Sequence, residues 1–192
     1  MATTDVLTLS EARKALRIPD SVSTHDADLL DSYIPAVTTM VEDIVGPVVI
    51  RQFVTTHHGG SPSVVLAGKR VVSVTSVVEN GTTLTGTDYV LSSGILYRGS
   101  QTYLQNFTDG LNTVVVTYTA GIAATTATVP ANIKLAARLI LAHLWQSDQQ
   151  GFRPEFGSPD ESSEQTPAGF AIPRRAYALL EPYAASSLLG FA

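Results

Sequence analysis

One junction, residues 112 to 145, constrains the fold of this chain more than any other feature. The β-branched stretch Val114–Thr119 is typical of a strand, and it stops at Ala120-Gly121 before a linker of small residues. Pro130 then suits the first turn of a helix. Because this helix is apolar on nearly every side, it must be covered by the rest of the fold or by a neighbouring subunit. Five of its residues are candidates for packing in the core or between subunits: Ile133, Ala137, Ile140, Leu144 and Trp145.

Two helices are predicted before the junction. Thr8 and Glu11 form a capping-box pattern, which predicts a helix over residues 9–17. Ser23 and Asp26 repeat the pattern, and apolar residues at helical spacing then continue to Ile44. Pro35 lies inside this second helix, where a proline removes one hydrogen bond and clashes with the preceding turn. We therefore expect a kink near residue 31, or a break with Pro35 early in a second segment.

The middle of the chain has the pattern of an antiparallel β block of about five to seven strands. Residues 48–56 and 71–78 are rich in Val and Thr with partial alternation. Asn80-Gly81 is a strong signal for a two-residue hairpin. Ser92-Ser93-Gly94 marks a second hairpin candidate. Helices on both sides of a β block predict an α+β fold, in which a small helical bundle carries an inserted antiparallel β subdomain.

The domain organisation predicted from this order is a single domain over residues 1–192. Residues 48–120 form the inserted β subdomain. Residues 147–192 form an extended loop, a short helix that opens at Pro173, and an apolar tail. A polar loop of about 25 residues is too long for a simple connection, so contact with a partner is one use for it.

Composition excludes several classes of protein. The net charge is -5 with a pI of about 5.2, which argues against a DNA-binding module. Charged residues make up 15% of the chain, against a usual value of about 25%, which favours surfaces that pack against other protein. The chain contains no cysteine, so disulfides and thiolate zinc sites are excluded. With no signal-peptide pattern and no apolar run of membrane-spanning length, we expect a soluble protein made in a cytoplasm.

No catalytic, cofactor-binding or metal-binding constellation is evident in the sequence. His57-His58 is the only histidine pair, and adjacent residues of a strand point to opposite faces, so they are poorly placed to share a metal. The chain has no nucleophile elbow, phosphate-binding loop or dinucleotide fingerprint. We therefore expect neither an enzyme nor a cofactor. Arg174-Arg175 is the one compact basic pair and is a candidate for contact with an acidic partner.

Three segments resemble the head–tail connector (adaptor) family of tailed phages, in particular its longer members with a β insertion. LTLSEARKALRI and HDADLLDSYIPAVTTMVEDIVG resemble the two starting helices of the family. DYVLSSGILYRGS with NTVVVTYTAG resembles the β insertion. VPANIKLAARLILAHLW and IPRRAYALLEPY resemble the third helix and the C-terminal element. At Pro35 this chain departs from the uninterrupted second helix that is usual in the family.

The resemblance implies a structural virion protein at the head–tail interface, assembled in the host cytoplasm. About twelve copies would form a ring under the portal protein, extend the DNA channel without sequence-specific binding, and receive the stopper or tail protein. It also implies portal-contact candidates near the C-terminus. These are Arg174, Arg175, Tyr177, Leu179, Leu180 and Tyr183, with tail residues Leu188, Leu189 and Phe191, while the loop 151–169 would lie against a partner or neighbour.

Two alternatives stay open from the sequence. The chain could be another neck component, namely a head-closure stopper or a tail-completion protein. A mainly β stopper, however, would not need two N-terminal helices and the helix after Pro130. The β block could instead be a carbohydrate- or receptor-binding module, which predicts clustered exposed aromatic residues. Aromatic residues are only 7% of the chain and are scattered.

Overall fold

Helices and antiparallel sheets together form an α+β fold in the computed structural model, as the sequence predicts. The structure describes residues 4–66, 70–149 and 172–184. These residues divide into two units. The helical unit takes the described parts of Asp5–Val41 and Ala131–Pro182, and the β unit is built mainly from Glu42–Pro130. The predicted organisation, one domain with an inserted subdomain at 48–120, stays a prediction.

The first helix, α1 (Leu9–Leu16), begins with the capping box that the sequence predicts. Thr8 Oγ1 accepts the Glu11 N–H at 3.3 Å, and a Glu11 carboxylate oxygen accepts the Thr8 N–H at 3.0 Å. Two backbone donors that the helix cannot satisfy by itself are thereby paired. Ala12 is fully buried, and α1 packs against α4 (Ala131–Gln149).

The second helix accommodates Pro35 through a π-helical turn. A short segment, α2 (Asp26–Asp28), leads into the π turn Leu29–Tyr33 and then into α3 (Ile34–Val45). The Ile34 N–H donates to the carbonyl of Leu29, five residues back, which widens the helix immediately before the proline. The irregularity therefore lies where the sequence predicts it, but it is a π turn within continuous helix and not a break.

The second predicted capping box, at Ser23 and Asp26, is wrong. The residue before α2 is His25, which makes no side-chain capping bond. The carboxylate of Asp26 is instead bound by Arg13, whose Nε donates at 2.8 Å and whose Nη2 donates to the second oxygen. An ion pair with α1 thus replaces the local cap.

Helix α4 buries one broad face and exposes part of the other. Ile133, Ala136, Ala137, Ile140 and Leu141 are fully buried. Leu135 is 41% exposed, so the helix is not covered on every side. Helix α5 (Arg174–Leu180) packs against α4 and buries its own residues Ala176 and Leu180. Within the described residues, no helix combines the length and the hydropathy that a bilayer crossing requires.

The described β unit contains two antiparallel sheets. The first has the order β1-β7-β3-β4 and the second has the order β2-β6-β5. Their strands are β1 (Arg51–His57), β2 (Ser63–Val65), β3 (Val71–Glu79), β4 (Thr82–Thr83), β5 (Tyr89–Ser92), β6 (Ile95–Arg98) and β7 (Val114–Ala120). Strand β7 lies centrally in its sheet and alternates buried with half-buried residues along its whole length. Its buried face packs with Leu96, Phe107 and Val77 in one apolar core.

Turn chemistry sets the ends of several strands. Asn80 and Gly81 both have positive φ, at 46° and 82°, between β3 and β4, as the predicted two-residue hairpin requires. Ser93 and Gly94, at 49° and 79°, join β5 to β6 in the same way. Gly121 ends β7 with a φ of 151°, and a Cβ there would lie 2.6 Å from the Ile50 Cα. Only glycine fits that approach.

A buried carboxylate ties the two sheets to a loop. Glu79, on β3, is 8% exposed and accepts Arg98 Nε at 3.0 Å. Its other oxygen accepts the backbone N–H and the hydroxyl of Thr108. A buried charge persists only when it is paired and hydrogen-bonded, and Glu79 meets both conditions. The contact fixes β3, β6 and the approach to β7 relative to one another.

Candidate interaction surfaces

Helix α5 presents a basic and aromatic face. The Tyr177 N–H donates to the Pro173 carbonyl at 3.1 Å, so the first turn of α5 is closed. Arg174, Arg175 and Tyr177 are exposed, Tyr177 by 50%. Among the described residues, neither arginine is within ion-pairing distance of a carboxylate. A neighbouring molecule could therefore reach both guanidinium groups and one phenol ring.

The other portal-contact candidates are placed differently. Leu180 is fully buried against the helical core, so it is not available to a partner while α5 stays packed. Leu179 and Tyr183 are half-buried. The Tyr183 carbonyl accepts Arg70 Nη2 at 3.0 Å within the β unit. Leu188, Leu189 and Phe191, together with the loop 151–169, lie outside the described residues.

The candidates on α4 fall into two groups. Ile133, Ala137 and Ile140 are fully buried within the helical unit. Leu144 and Trp145, near the end of the helix, are only half-buried. The first group fills the core of this unit. The second group retains surface that a partner could cover.

Trp145 belongs to an open cleft of about 670 Å³ in the helical unit. Its ring lies 5.1 Å from the Tyr33 ring and 5.2 Å from the His25 ring, measured between centroids. The Tyr33 hydroxyl donates to the carboxylate of Asp148. That bond, with burial as a second cause, raises the pKa of Tyr33 to about 12. Asp28 also lines the cleft, so its walls combine aromatic rings with carboxylates, a chemistry suited to a cationic side chain.

Glu11 links α1 to α4 as well as capping its own helix. Lys134 Nζ donates to Glu11 at 2.6 Å, and Arg138 Nη2 approaches the same oxygen at 3.5 Å. Burial opposes ionisation of Glu11. The hydrogen bonds from Lys134 and Thr8 and the charge of Lys134 outweigh that effect and hold the pKa of Glu11 below its usual value. Sequence reasoning found the capping role but had no signal for the distant lysine.

The histidine pair has separate partners. His57 Nε2 lies 2.9 Å from Thr55 Oγ1, while His58 Nδ1 accepts the Asn112 N–H at 3.1 Å. Burial first, and the neighbouring His58 second, lower the pKa of His57. Over residues 4–66, 70–149 and 172–184, no group of three His, Cys, Asp or Glu side chains is placed to hold a metal ion.

Comparisons with known proteins find one matching family and several similar solved structures. The family model described as "Head completion protein" matches residues 5–184. None of the curated proteins compared with the chain matches it. Similar solved structures come from gene transfer agent particles.

A chain from the neck of an empty particle, computed with C6 symmetry, has a TM-score of 0.67 at 18% identity, covering 96% of this chain and 92% of its own. A chain from the native virion has a TM-score of 0.58 at 18% identity, with the same coverage of both chains. One from the native neck, computed with C12 symmetry, has a TM-score of 0.57 at 18% identity, covering 96% of this chain and 94% of its own. At this identity, these three likenesses show a shared fold.

Proposed function

This chain belongs to the head completion protein family, and from that premise we propose that it is a structural protein of a phage-like particle neck, acting as a head-to-tail adaptor. In this role it forms a ring under the portal protein, extends the DNA channel, and offers a platform to the stopper or tail protein. The observation that carries the proposal is the family match over residues 5–184, nearly the whole chain. The resemblance read from the sequence is confirmed at the level of this connector and completion family.

The ring is supported by the symmetry of similar structures. Two of the structurally similar chains come from necks computed with C6 and C12 symmetry. Applied to this chain, the C12 symmetry would give a ring of about twelve copies. A ring closes through head-to-tail contacts between two different faces of each subunit. The net charge of -5 suits a channel wall that repels phosphate, so DNA would pass without sequence-specific binding.

An adaptor is favoured over a stopper by the helical unit. Helices α1, α3, α4 and α5 bring a second apolar core to a chain whose β unit already has one. A mainly β stopper does not require that core. The proposed organisation is one adaptor domain in which the β subdomain is an insertion. The role is structural, with no cofactor and no catalytic step, and its place is the virion neck after assembly in the host cytoplasm.

The proposed portal contact uses the exposed face of α5. Arg174, Arg175 and Tyr177 form its centre, because they are exposed and without a described ion-pair partner. Further candidates for this contact are Leu179, Tyr183 and, outside the described residues, Leu188, Leu189 and Phe191. Arginine and tyrosine are among the side chains that most often carry binding energy at protein interfaces. Leu180 is left out of this surface since it is buried.

The order of binding tests the adaptor role against the stopper role. An adaptor binds purified portal protein directly, whereas a stopper binds only after another neck protein is in place. Co-sedimentation of this chain with portal protein from the same particle, with and without the other neck proteins, separates the two. Binding to portal alone supports the adaptor. Binding that requires a second neck protein assigns the chain to the stopper position.

A further inference from the structure

The outer edge of β1 carries unpaired backbone groups. In the first sheet β1 is an end strand, and among the described residues only β7 pairs with it. β1 pairs with β7 over seven consecutive residues without a bulge, and it contains neither glycine nor proline. Strand edges of this kind are open templates for another extended segment, and proteins usually blunt them with lysine, proline or bulges. β1 has none of these devices.

The register identifies which groups face outward. The Asn80 N–H donates to the Thr113 carbonyl at 2.7 Å, so the backbone N–H and C=O groups of Thr113 point to β3. Because these groups alternate between the two sides of a strand, those of Val114 point to β1 and those of Val115 point to β3. His57 pairs with Val114, and alternate residues of β1 therefore bond within the ladder. The N–H and C=O groups of Gln52, Val54 and Thr56 point away from β7. In the described part of the chain, no other backbone group bonds to them.

The side chains at the same three positions are exposed and uncharged. Gln52, Val54 and Thr56 alternate with the half-buried residues of β1, and Val54 is 64% exposed. The charged residue at the start of the strand, Arg51, is engaged by Glu42 through two bonds of 2.7 Å. A segment that pairs with this edge therefore meets no unpaired charge from β1. It would gain up to six backbone hydrogen bonds while covering an apolar side chain.

The other side of the sheet is protected. β3 shows two register shifts against β7, between Val71 and Ser73 and between Val74 and Ser76, and β4 pairs with its last two residues. Bulges bend a strand and increase its twist, which disfavours pairing with a further chain. In the first sheet, the β1 edge is therefore the side that is better suited to pair with a further strand.

We propose that an extended segment of a second copy of this chain pairs with the β1 edge when the ring forms, so that the sheet continues across the subunit boundary. The inference rests on the proposed ring. Identical copies each carry a net charge of -5, so they approach with least repulsion through an uncharged surface. A strand edge accepts the backbone of an unlike segment, which is what a head-to-tail contact requires.

A photo-crosslinking experiment identifies the occupant. The chain has no cysteine, so Val54→Cys creates a single site for a benzophenone maleimide. Labelled chains are mixed with unlabelled chains grown in ¹⁵N, assembled with and without portal protein, irradiated, and analysed by mass spectrometry. Crosslinks from Val54→Cys to ¹⁵N peptides are expected in the ring.

The outcomes separate this inference from the proposed function. A ring whose crosslinks reach only portal peptides, only the same chain, or no peptide overturns the edge pairing but leaves the adaptor role standing. If no ring forms and portal does not recruit the chain, both are overturned. Crosslinks to ¹⁵N peptides that disappear on dilution to monomers support the pairing.

A second pair of variants tests the backbone bonds directly. Val54→Pro removes one outward N–H, and since that group lies outside the β1–β7 ladder, an edge strand tolerates the change. Val54→Thr keeps the N–H and a β-branched side chain, so it is the matched control. We expect Val54→Pro to raise the concentration at which half the chains assemble by roughly tenfold or more, while Val54→Thr assembles as wild type. Circular dichroism checks that both variants fold, and equal assembly of the two folded variants would refute the pairing.

Discussion

Removing the side chain of Ile140 tests the buried face of α4 most sharply, because the same helix offers a matched control. Ile140 is fully buried, whereas Leu135 is 41% exposed. Substitution of either residue by alanine deletes three carbon atoms and leaves a good helix former. The two variants therefore differ mainly in how much apolar surface they lose.

The expected cost follows from burial. At about 0.8 kcal/mol for each buried carbon, Ile140→Ala loses roughly 2.4 kcal/mol of transfer free energy. The cavity left in the core brings the total to about 3 to 4 kcal/mol. For Leu135→Ala the same estimate, scaled to the buried part of the side chain, is about 1.4 kcal/mol, and a half-open site leaves no closed cavity. The difference between the variants should thus be about 2 kcal/mol.

Urea unfolding followed by far-ultraviolet circular dichroism measures both free energies. The variants are compared at equal protein concentration below that of assembly, so that ring formation does not contribute to the apparent stability. Equal losses for Ile140→Ala and Leu135→Ala, or a loss below about 1 kcal/mol for Ile140→Ala, would refute the assignment of this face to the core.

Three further predictions concern ionisation and binding. Because the folded state lowers the pKa of Glu11, its contribution is present above the unfolded value of 4.5 and is lost as the pH falls through the folded pKa. Glu11→Gln should therefore flatten the decline in stability below about pH 5, measured by urea unfolding in a pH series, and an unchanged slope would count against the Lys134 contact. The pKa of Tyr33 is raised to about 12, so the stabilisation from its bond to Asp148 is complete below pH 10 and is lost as the pH rises through 12. Asp148→Asn should shift this phenol titration, followed at 295 nm, back toward about 10, and a titration that stays near 12 would contradict the assignment. The double variant Arg174→Ala with Arg175→Ala should weaken portal binding by tenfold or more in a sedimentation titration, with unfolding free energy within about 0.5 kcal/mol of wild type. Lys14→Ala, which removes an exposed charge from α1, is the control, and equal binding of the two variants would remove the α5 surface from the proposal.

Local signals in the sequence predicted most of the secondary structure. The Thr8–Glu11 box, the two hairpin glycines and Pro130 each act through backbone geometry or hydrogen bonds within a few residues, so they can be read without the tertiary fold. The fold class followed from their order. The family resemblance rested on the same patterns and is confirmed by the family match.

The second capping-box prediction failed because a more distant residue binds the same side chain. Ser23 and Asp26 match a capping box, but Arg13 binds the Asp26 carboxylate and no local cap forms. Pro35 correctly predicts an irregular helix, but the sequence pattern did not specify that the irregularity is a π turn.

The candidate surfaces were only partly predictable for a similar reason. Exposed and buried residues alternate on α5, and the spacing of Ala176 and Leu180 becomes meaningful only once the covered side is known. The family resemblance placed Leu180 with the contact candidates, although the residue is fully buried. The cleft at Trp145 brings together residues more than 100 positions apart in sequence, such as Tyr33 and Asp148. A local sequence pattern cannot predict such a cleft.

The proposed ring under the portal is tested by the native mass of the complex that this chain forms with portal protein. The purified chain, alone over a range of concentrations and mixed with portal protein from the same particle, is weighed by native mass spectrometry. We expect a closed species of about twelve copies, formed alone or recruited by the portal. A chain that stays monomeric and does not bind the portal would contradict it.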